Sequence, residues 1–235
     1  MAPLITIITP TTGSQGINRL IQSIDRQNIP YVHILLWDDK REGEFLYPEN
    51  TISLNIKQPH EMDLSNIKDS CRYSIVIPGT MVQGIACGSA LRAIGIMAAN
   101  TPYITFADSD VWWDDGHLES LLDAVEGNQW AYCKRRVWAN NTDCIGIDNF
   151  ESVGDSPDKK VPYEMVDNNC MIFTRRLGTS GAVLYRETKE YNDDRLFYKF
   201  LKQYGGNPEK TGKATVNQIC PKRLEPMFRQ YCEKE

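Results

Sequence analysis

The sequence predicts an α/β fold: a mixed, mainly parallel sheet flanked by helices, in a single domain. Three observations carry this. A strand, a helix and a second strand follow one another within the first forty residues, the βαβ opening that implies parallel pairing. The early strands are near-continuous apolar runs, as strands buried on both faces require. Two of them, Val32 to Trp37 and Tyr103 to Ala107, stop on paired acids, Asp38-Asp39 and Asp108-Ser109-Asp110.

The elements follow in order. Leu4 to Thr9 is apolar and β-branched and reads as the first strand, and Pro10 to Ser14 as a loop. Ile17, Leu20, Ile21 and Ile24 recur at helical spacing. After the second strand, Lys40 to Asn50 is polar, Thr51 to Ile56 alternates as a more exposed strand, Leu64 to Lys68 reads as a short helix, and Ser74 to Ile77 is apolar. From Gly84 small residues accumulate around Leu91, Ile94 and Ile96, which predicts a helix lying close to the sheet. It ends before Pro102, because the residue preceding proline disfavours helical geometry.

Asp114-Asp115 is expected to cap a helix carrying Leu118, Leu121, Leu122 and Val125. Trp130 to Trp138 reads as an edge strand, with Lys134, Arg135 and Arg136 explained by alternation or by reach toward a diphosphate. Asn140 to Lys160 reads as a long surface excursion, Cys170 to Thr174 and Gly181 to Tyr185 as short strands. Asp193-Asp194 opens a helix that Gly205-Gly206 stops, and a last helix spans Leu224 to Cys232.

Composition narrows the class. The 235 residues suffice for one large α/β domain, with 41% hydrophobic and 24% charged residues, an ordinary globular balance. A net charge of −5 argues against general nucleic-acid binding. The seven cysteines are odd in number and lack zinc-ligand spacing, so free thiols in a reducing compartment are expected. The Asn140-Asn141-Thr142 acceptor sequence is discounted on that ground. No apolar run approaches the roughly 20 residues that span a bilayer, and no signal segment is evident, so a cytoplasmic, soluble protein without an integral membrane segment is expected.

The chemistry concentrates on Asp108 and Asp110. Ligands of open α/β sheets bind outside the carboxyl ends of the strands. Two acids there can hold a hard divalent cation such as Mg²⁺ or Mn²⁺ through oxygen, or form a solvated turn. The loop Pro10 to Gly16 is too poor in glycine, and lacks the arginine, for a sugar-phosphate nucleotidyltransferase; it also lacks the Gly-x-Gly-x-x-Gly of a dinucleotide oxidoreductase. A nucleotide-sugar or carbohydrate-binding module without turnover stays open as an alternative.

The order of these motifs resembles the GT-A glycosyltransferases, family 2 in particular. The resemblance rests on Ile7-Ile8-Thr9-Pro10-Thr11, Leu35-Leu36-Trp37-Asp38-Asp39, Leu91-Arg92-Ala93-Ile94-Gly95-Ile96, Tyr103 to Asp110, and Asp193-Asp194. It is specific over residues 4 to 122 and looser afterwards. Ala93 stands where the family has Asn, Asp193-Asp194-Arg195 replaces Glu-Asp-Trp, and no histidine follows His117.

The resemblance implies a GT-A, Rossmann-like fold, with residues 1–122 holding the nucleotide-sugar and 123–235 facing the acceptor. It implies metal-dependent sugar transfer from a nucleoside diphosphate, a UDP-sugar above all, to a hydroxyl of a glycan or other acceptor, with inversion. Asp110 and Asp108 would hold the cation, and Ser109 would lie beside the nucleotide. Asp39 or Asp38 would accept from uracil N3–H or ribose, with Thr9, Pro10 and Thr11 lining the same pocket. Arg92 would pair with an acid of the pocket or approach the phosphates, unless it is a helix-surface arginine. Asp194, with Asp193 as runner-up, would be the base. Trp112-Trp113 is read as a sugar platform or a structural aromatic pair, Arg175-Arg176, like Lys134 to Arg136, as reaching toward the diphosphate or explained by alternation, and the histidines His33, His60 and His117 as structural or exposed.

Overall fold

A computed structural model describes residues 2–11, 16–38, 51–54, 71–77, 88–149, 154, 165–185 and 193–234; for residues 38, 51–54 and 71–77 it describes the backbone. The chain begins β1 (Ile5–Thr11), α1 (Ile17–Asp25), β2 (Tyr31–Asp38), β3 (Thr51–Leu54), β4 (Cys71–Ile77), α2 (Ser89–Ala98), β5 (Tyr103–Phe106) and β6 (Val111–Trp113). It continues α3 (His117–Val125), β7 (Trp130–Trp138), β8 (Cys144–Ile147), a 3₁₀ turn (Asn168–Cys170), β9 (Met171–Thr174) and α4 (Arg175–Gly181). A second 3₁₀ turn (Ala182–Leu184), α5 (Asp193–Gly205), β10 (Glu209–Ile219) and α6 (Glu225–Tyr231) complete it.

The described strands form one sheet in the order β3-β4-β2-β1-β5-β9-β7-β10-β6, with β8 beside β7. The five strands from β3 to β5 pair in parallel. β9 runs antiparallel between β5 and β7. β10 is parallel to β7, and β6 antiparallel to β10. The carboxyl ends of β2, β5, β7 and β10 therefore share one sheet edge with the start of β9.

The parallel block is apolar because its described side chains are buried. All seven residues of β1 are buried, and α1 buries Ile17, Leu20, Ile21 and Ile24, the four that its spacing marks. α2 lies so close to the sheet that a Cβ on Gly95 would stand 2.5 Å from Ile8 Cγ2 and 3.0 Å from Leu36 Cδ1. Aromatic contacts fasten the second half: Phe106 to Phe173 at 5.5 Å, Phe173 to Phe197 at 5.1 Å and Tyr185 to Phe197 at 4.7 Å between ring centres. These tie α5 and the turn before it against β5 and β9. No described helix is long and apolar enough to cross a membrane.

Four expectations are corrected, and one strand, β10, had no sequence expectation. The strand expected over Gly181 to Tyr185 is replaced by helical coil through Leu184: Thr174 Oγ1 accepts from Leu177 N and starts α4 directly after β9, and the coil tightens into 3₁₀ geometry. Asp114-Asp115 caps nothing. The α3 N-cap is Gly116 at φ 75, while Asp114 is engaged by Arg136 and Asn217, and Asp115 by Arg26. β7 is an interior strand, between β9 and β10, so alternation on an edge does not explain Arg135. β10 is long and its first half polar, hidden from a hydropathy reading because that half is exposed. The excursion after Asn140 contains β8. The helix expected over Leu64 to Lys68 lies outside the described residues.

The close seating of α2 is testable. Gly95→Val adds two methyls and a Cβ where Ile8 and Leu36 leave no room. Overpacking of this kind costs about 1–3 kcal/mol. Urea denaturation should show a loss of that size, and a midpoint equal to the parent's would contradict the contact.

Candidate active site

At the shared carboxyl edge, two buried guanidiniums face six carboxylates: Arg92 and Arg135 against Asp108, Asp110, Asp148, Asp167, Asp193 and Asp194. Each is delivered by a specific element.

Arg92 sits one turn into α2 and is 5% exposed. Its Nη2 donates to Asp108 Oδ1 in an ion pair. Burial alone would lower the Arg92 pKa, but the Asp108 charge and hydrogen bond and the Asp193 charge outweigh it and the net shift is upward. Arg92 is thus an internal counter-ion, not a helix-surface residue. One turn earlier, Ser89 Oγ donates to Asp193 Oδ2, so α2 also holds the start of α5. Tyr185 donates to Asn168 Oδ1 at 2.6 Å, and burial raises its pKa.

The β5 turn is held from the other side by β9. Asp108 N donates to Asn169 Oδ1 at 2.5 Å, and Asn169 Nδ2 donates to Asp108 Oδ2 at 3.1 Å. Asn169 is oriented in turn by Asp167 Oδ1, which accepts from Asn169 Nδ2 at 2.7 Å and from its backbone N at 2.8 Å. Arg135 closes the group, donating from Nε to Asp148 Oδ2 at 2.8 Å and from Nη1 to Asp167 Oδ2 at 2.5 Å and Gln218 Oε1 at 2.6 Å.

Asp110 faces solvent, yet the walls around it remove enough water to push its carboxyl up to about 6, with the Asp108 and Asp167 charges adding to the rise. The Gln218 amide, beside it on β10, opposes the shift. Asp194 is half-buried and its pKa is also raised, first by burial and then by Asp193 and Asp167, against the hydrogen bond from Arg195 N. Carboxylates crowded in this way are each stabilised by an added cation. Among the described residues no three His, Cys, Asp or Glu side chains form a ready cage. A donor set of Asp110 and Asp108 fits instead a cation that shares its remaining positions with phosphate oxygens and water.

Other sequence candidates are placed as follows. Thr9 is fully buried, its hydroxyl 2.9 Å from His33 Nε2. Pro10 and Thr11 end β1 and are buried, with Pro10 against the left-handed Gly88 that starts α2. Asp38 ends β2 at the same edge, while Asp39 and His60 lie outside the described residues. Ser109 presents its carbonyl oxygen to Gly16, where a Cβ would stand 2.5 Å from it. Neither tryptophan offers an open face: the Arg19 guanidinium lies over Trp112 at 3.1 Å, and Trp113 is buried and stacked on His117. Arg175 and Arg176 start α4, at the far end of β9 from the site.

Sequence reasoning missed Asp148, Asp167, Asn169 and Gln218. The signal available for two of them was Asp167-Asn168-Asn169 directly before the apolar run Met171 to Phe173, the mirror of acids placed after a strand.

The Arg92–Asp108 pair makes a stability prediction. Removing one partner of a buried ion pair costs about 3–5 kcal/mol. Arg92→Met should fall at the lower end of that range, because Asp108 keeps 27% of its side-chain exposure. Adding Asp108→Asn should return part of the loss in a double-mutant cycle by urea denaturation. Additivity within about 0.5 kcal/mol would mean that the pair is not coupled.

Comparison with known proteins agrees with this geometry. Residues 88–150, which span α2 and the Asp108-Ser109-Asp110 turn, match the family model Glycosyl transferase family 2. No curated protein matches the chain. The solved structure of S. aureus TarS 1–349 is similar at 14% identity with a TM-score of 0.56, covering 92% of this chain and 60% of that one. TarS 1–349 in complex with UDP-GlcNAc gives 0.56 at 14% identity, over 93% and 59%. A longer TarS structure gives 0.55 at 13% identity, over 92% and 37%. The chain thus spans about 60% of the length of TarS 1–349 and less of the longer protein. The chain has the GT-A fold, and its segment 88–150 carries the pattern of glycosyltransferase family 2.

Proposed function

We propose that this protein is a metal-dependent glycosyltransferase. It moves a sugar from a nucleoside diphosphate, a UDP-sugar, to an acceptor hydroxyl, with inversion at the anomeric carbon. The observation that carries the reading is the convergence of Asp108, Asp110, Asp167, Asp193 and Asp194 around Arg92 at the carboxyl edge of the sheet. The UDP-GlcNAc bound by TarS in a similar fold supports the donor class.

Asp110, with Asp108 directly or through water, would hold Mn²⁺ or Mg²⁺ against the donor diphosphate. Such a cation supplies charge neutralisation for the departing diphosphate. At about 4 Å, opposite unit charges attract by about 4 kcal/mol at an effective dielectric near 20. Asp38 and Asp39, with Thr9, Pro10, Thr11 and Ser109, would form the nucleotide side. Arg92 serves by holding Asp108 in place and not by reaching phosphate, since it is buried and pairs with that acid.

Asp194 is the base. The acceptor oxygen forms a bond to the anomeric carbon while the bond from that carbon to the diphosphate oxygen breaks. The hydroxyl proton passes to the Asp194 carboxylate. Asp193 is poorly suited to this role, because it is buried and accepts the Ser89 hydroxyl. Asp194 is less enclosed, and its raised pKa makes it a stronger base than an ordinary carboxylate.

The test is a panel of nucleotide sugars with Mn²⁺, scored by slow donor hydrolysis and then by transfer. Asp194→Asn should lower turnover about 10²–10⁴-fold while UDP binding holds. The base acts only when deprotonated, so parental turnover should fall on the acid side, through an apparent pKa above the roughly 3.9 of free Asp. That limb should be absent from Asp194→Asn. Parental turnover in both Asp193→Asn and Asp194→Asn would contradict the assignment.

A further inference from the structure

We infer that Arg135 is a positioning residue that braces the Asp108-Ser109-Asp110 turn through two arms, a hydrogen-bonded chain to Asp108 and the Gln218 amide that it holds beside Asp110. The inference rests on the metal role proposed above for Asp110 and Asp108.

Arg135 projects from the middle of the interior strand β7 and is 2% exposed. Its Nε is used by Asp148, which is equally buried. Its Nη1 carries two hydrogens, and they diverge. One goes to Gln218 Oε1 on β10, the other to Asp167 Oδ2 before β9.

Each arm has a fixed polarity. With its oxygen turned to Arg135, the Gln218 amide can only present its NH₂ to Asp110, the neighbour of its strand partner Val111, and it favours the charged form of that acid. In the other arm, Asp167 accepts from Arg135 on Oδ2 and from Asn169 on Oδ1. Asn169 is thereby oriented to accept from Asp108 N and to donate to Asp108 Oδ2. Reversing either amide would set oxygen against carboxylate or NH₂ against guanidinium. One buried cation therefore sets the direction of both the Asn169 and the Gln218 amide.

Neutralising Asp148 alone would need one donor atom. The planar guanidinium supplies the further divergent pair, which a lysine ammonium on its flexible stem does not reproduce. Partners that orient metal-binding side chains typically change metal affinity 10–100-fold when removed.

Calorimetric titration of UDP, with Mn²⁺ and again with EDTA, separates this role from a structural one. Gln218→Met keeps the side-chain length at a partly exposed position and cuts the Asp110 arm without stranding a charge. It should lose at least tenfold in Mn²⁺-dependent UDP affinity, with EDTA binding and urea midpoint close to the parent's. Arg135→Lys should lose as much or more, even where its fold holds. Asp110→Ala is the reference and should lose the Mn²⁺-dependent increment altogether. If Gln218→Met and Arg135→Lys bind Mn²⁺-UDP like the parent while Asp110→Ala does not, the positioning role is overturned and the metal reading stands. If Asp110→Ala also binds like the parent, the metal reading falls and this inference falls with it.

Discussion

Everything at the carboxyl edge depends on the buried ion pair between Arg92 and Asp108. A carboxylate at the end of an apolar strand loses hydration, and its neighbours are further carboxylates. A buried charge of this kind is costly unless it is paired. Arg92 supplies the partner. It can do so only because α2 lies almost on the sheet, which in turn needs Gly95 above Ile8 and the left-handed Gly88 against Pro10. Small residues in α2 are thus part of the electrostatics as well as of the packing.

The same helix links the two halves of the chain. Ser89 holds Asp193 and Arg92 holds Asp108, so the start of α5 and the end of β5 are referred to one rigid element. The aromatic cluster of Phe106, Phe173, Tyr185 and Phe197 fixes the same junction from below. A nucleotide side built on β1, β2 and β5 and an acceptor side built on α5 can then keep a constant spacing, which a single in-line displacement requires.

Local pattern was legible wherever burial was uniform. β1, β2, β7 and α5 could be read from apolar runs and stop signals, because each is buried in a way its own residues announce. β10 could not, since its pairing partners rather than its composition make it a strand. Gly181 to Tyr185 looked like a strand and is helical coil through Leu184, because Thr174 starts a helix that no strand propensity downstream can undo. In the site, Asp108, Asp110, Arg92 and the Asp193-Asp194 pair stood out by type and by position at element ends. Asn169 meets Asp108 across 61 residues and Gln218 meets Arg135 across 83, and neither span leaves a periodic trace in the sequence. Arg135 was visible but misread, because only the strand order reveals that its guanidinium has no solvent to enter.

The central claim is that this acidic edge is where a nucleotide diphosphate and its cation sit. The most direct measurement is a crystal structure with UDP and Mn²⁺, with the metal located by its anomalous signal. The account predicts the manganese within bonding distance of Asp110 and of a diphosphate oxygen, with the uracil toward the carboxyl ends of β1 and β2. Manganese and UDP bound at the opposite end of the sheet, near Arg175 and Arg176, would contradict it.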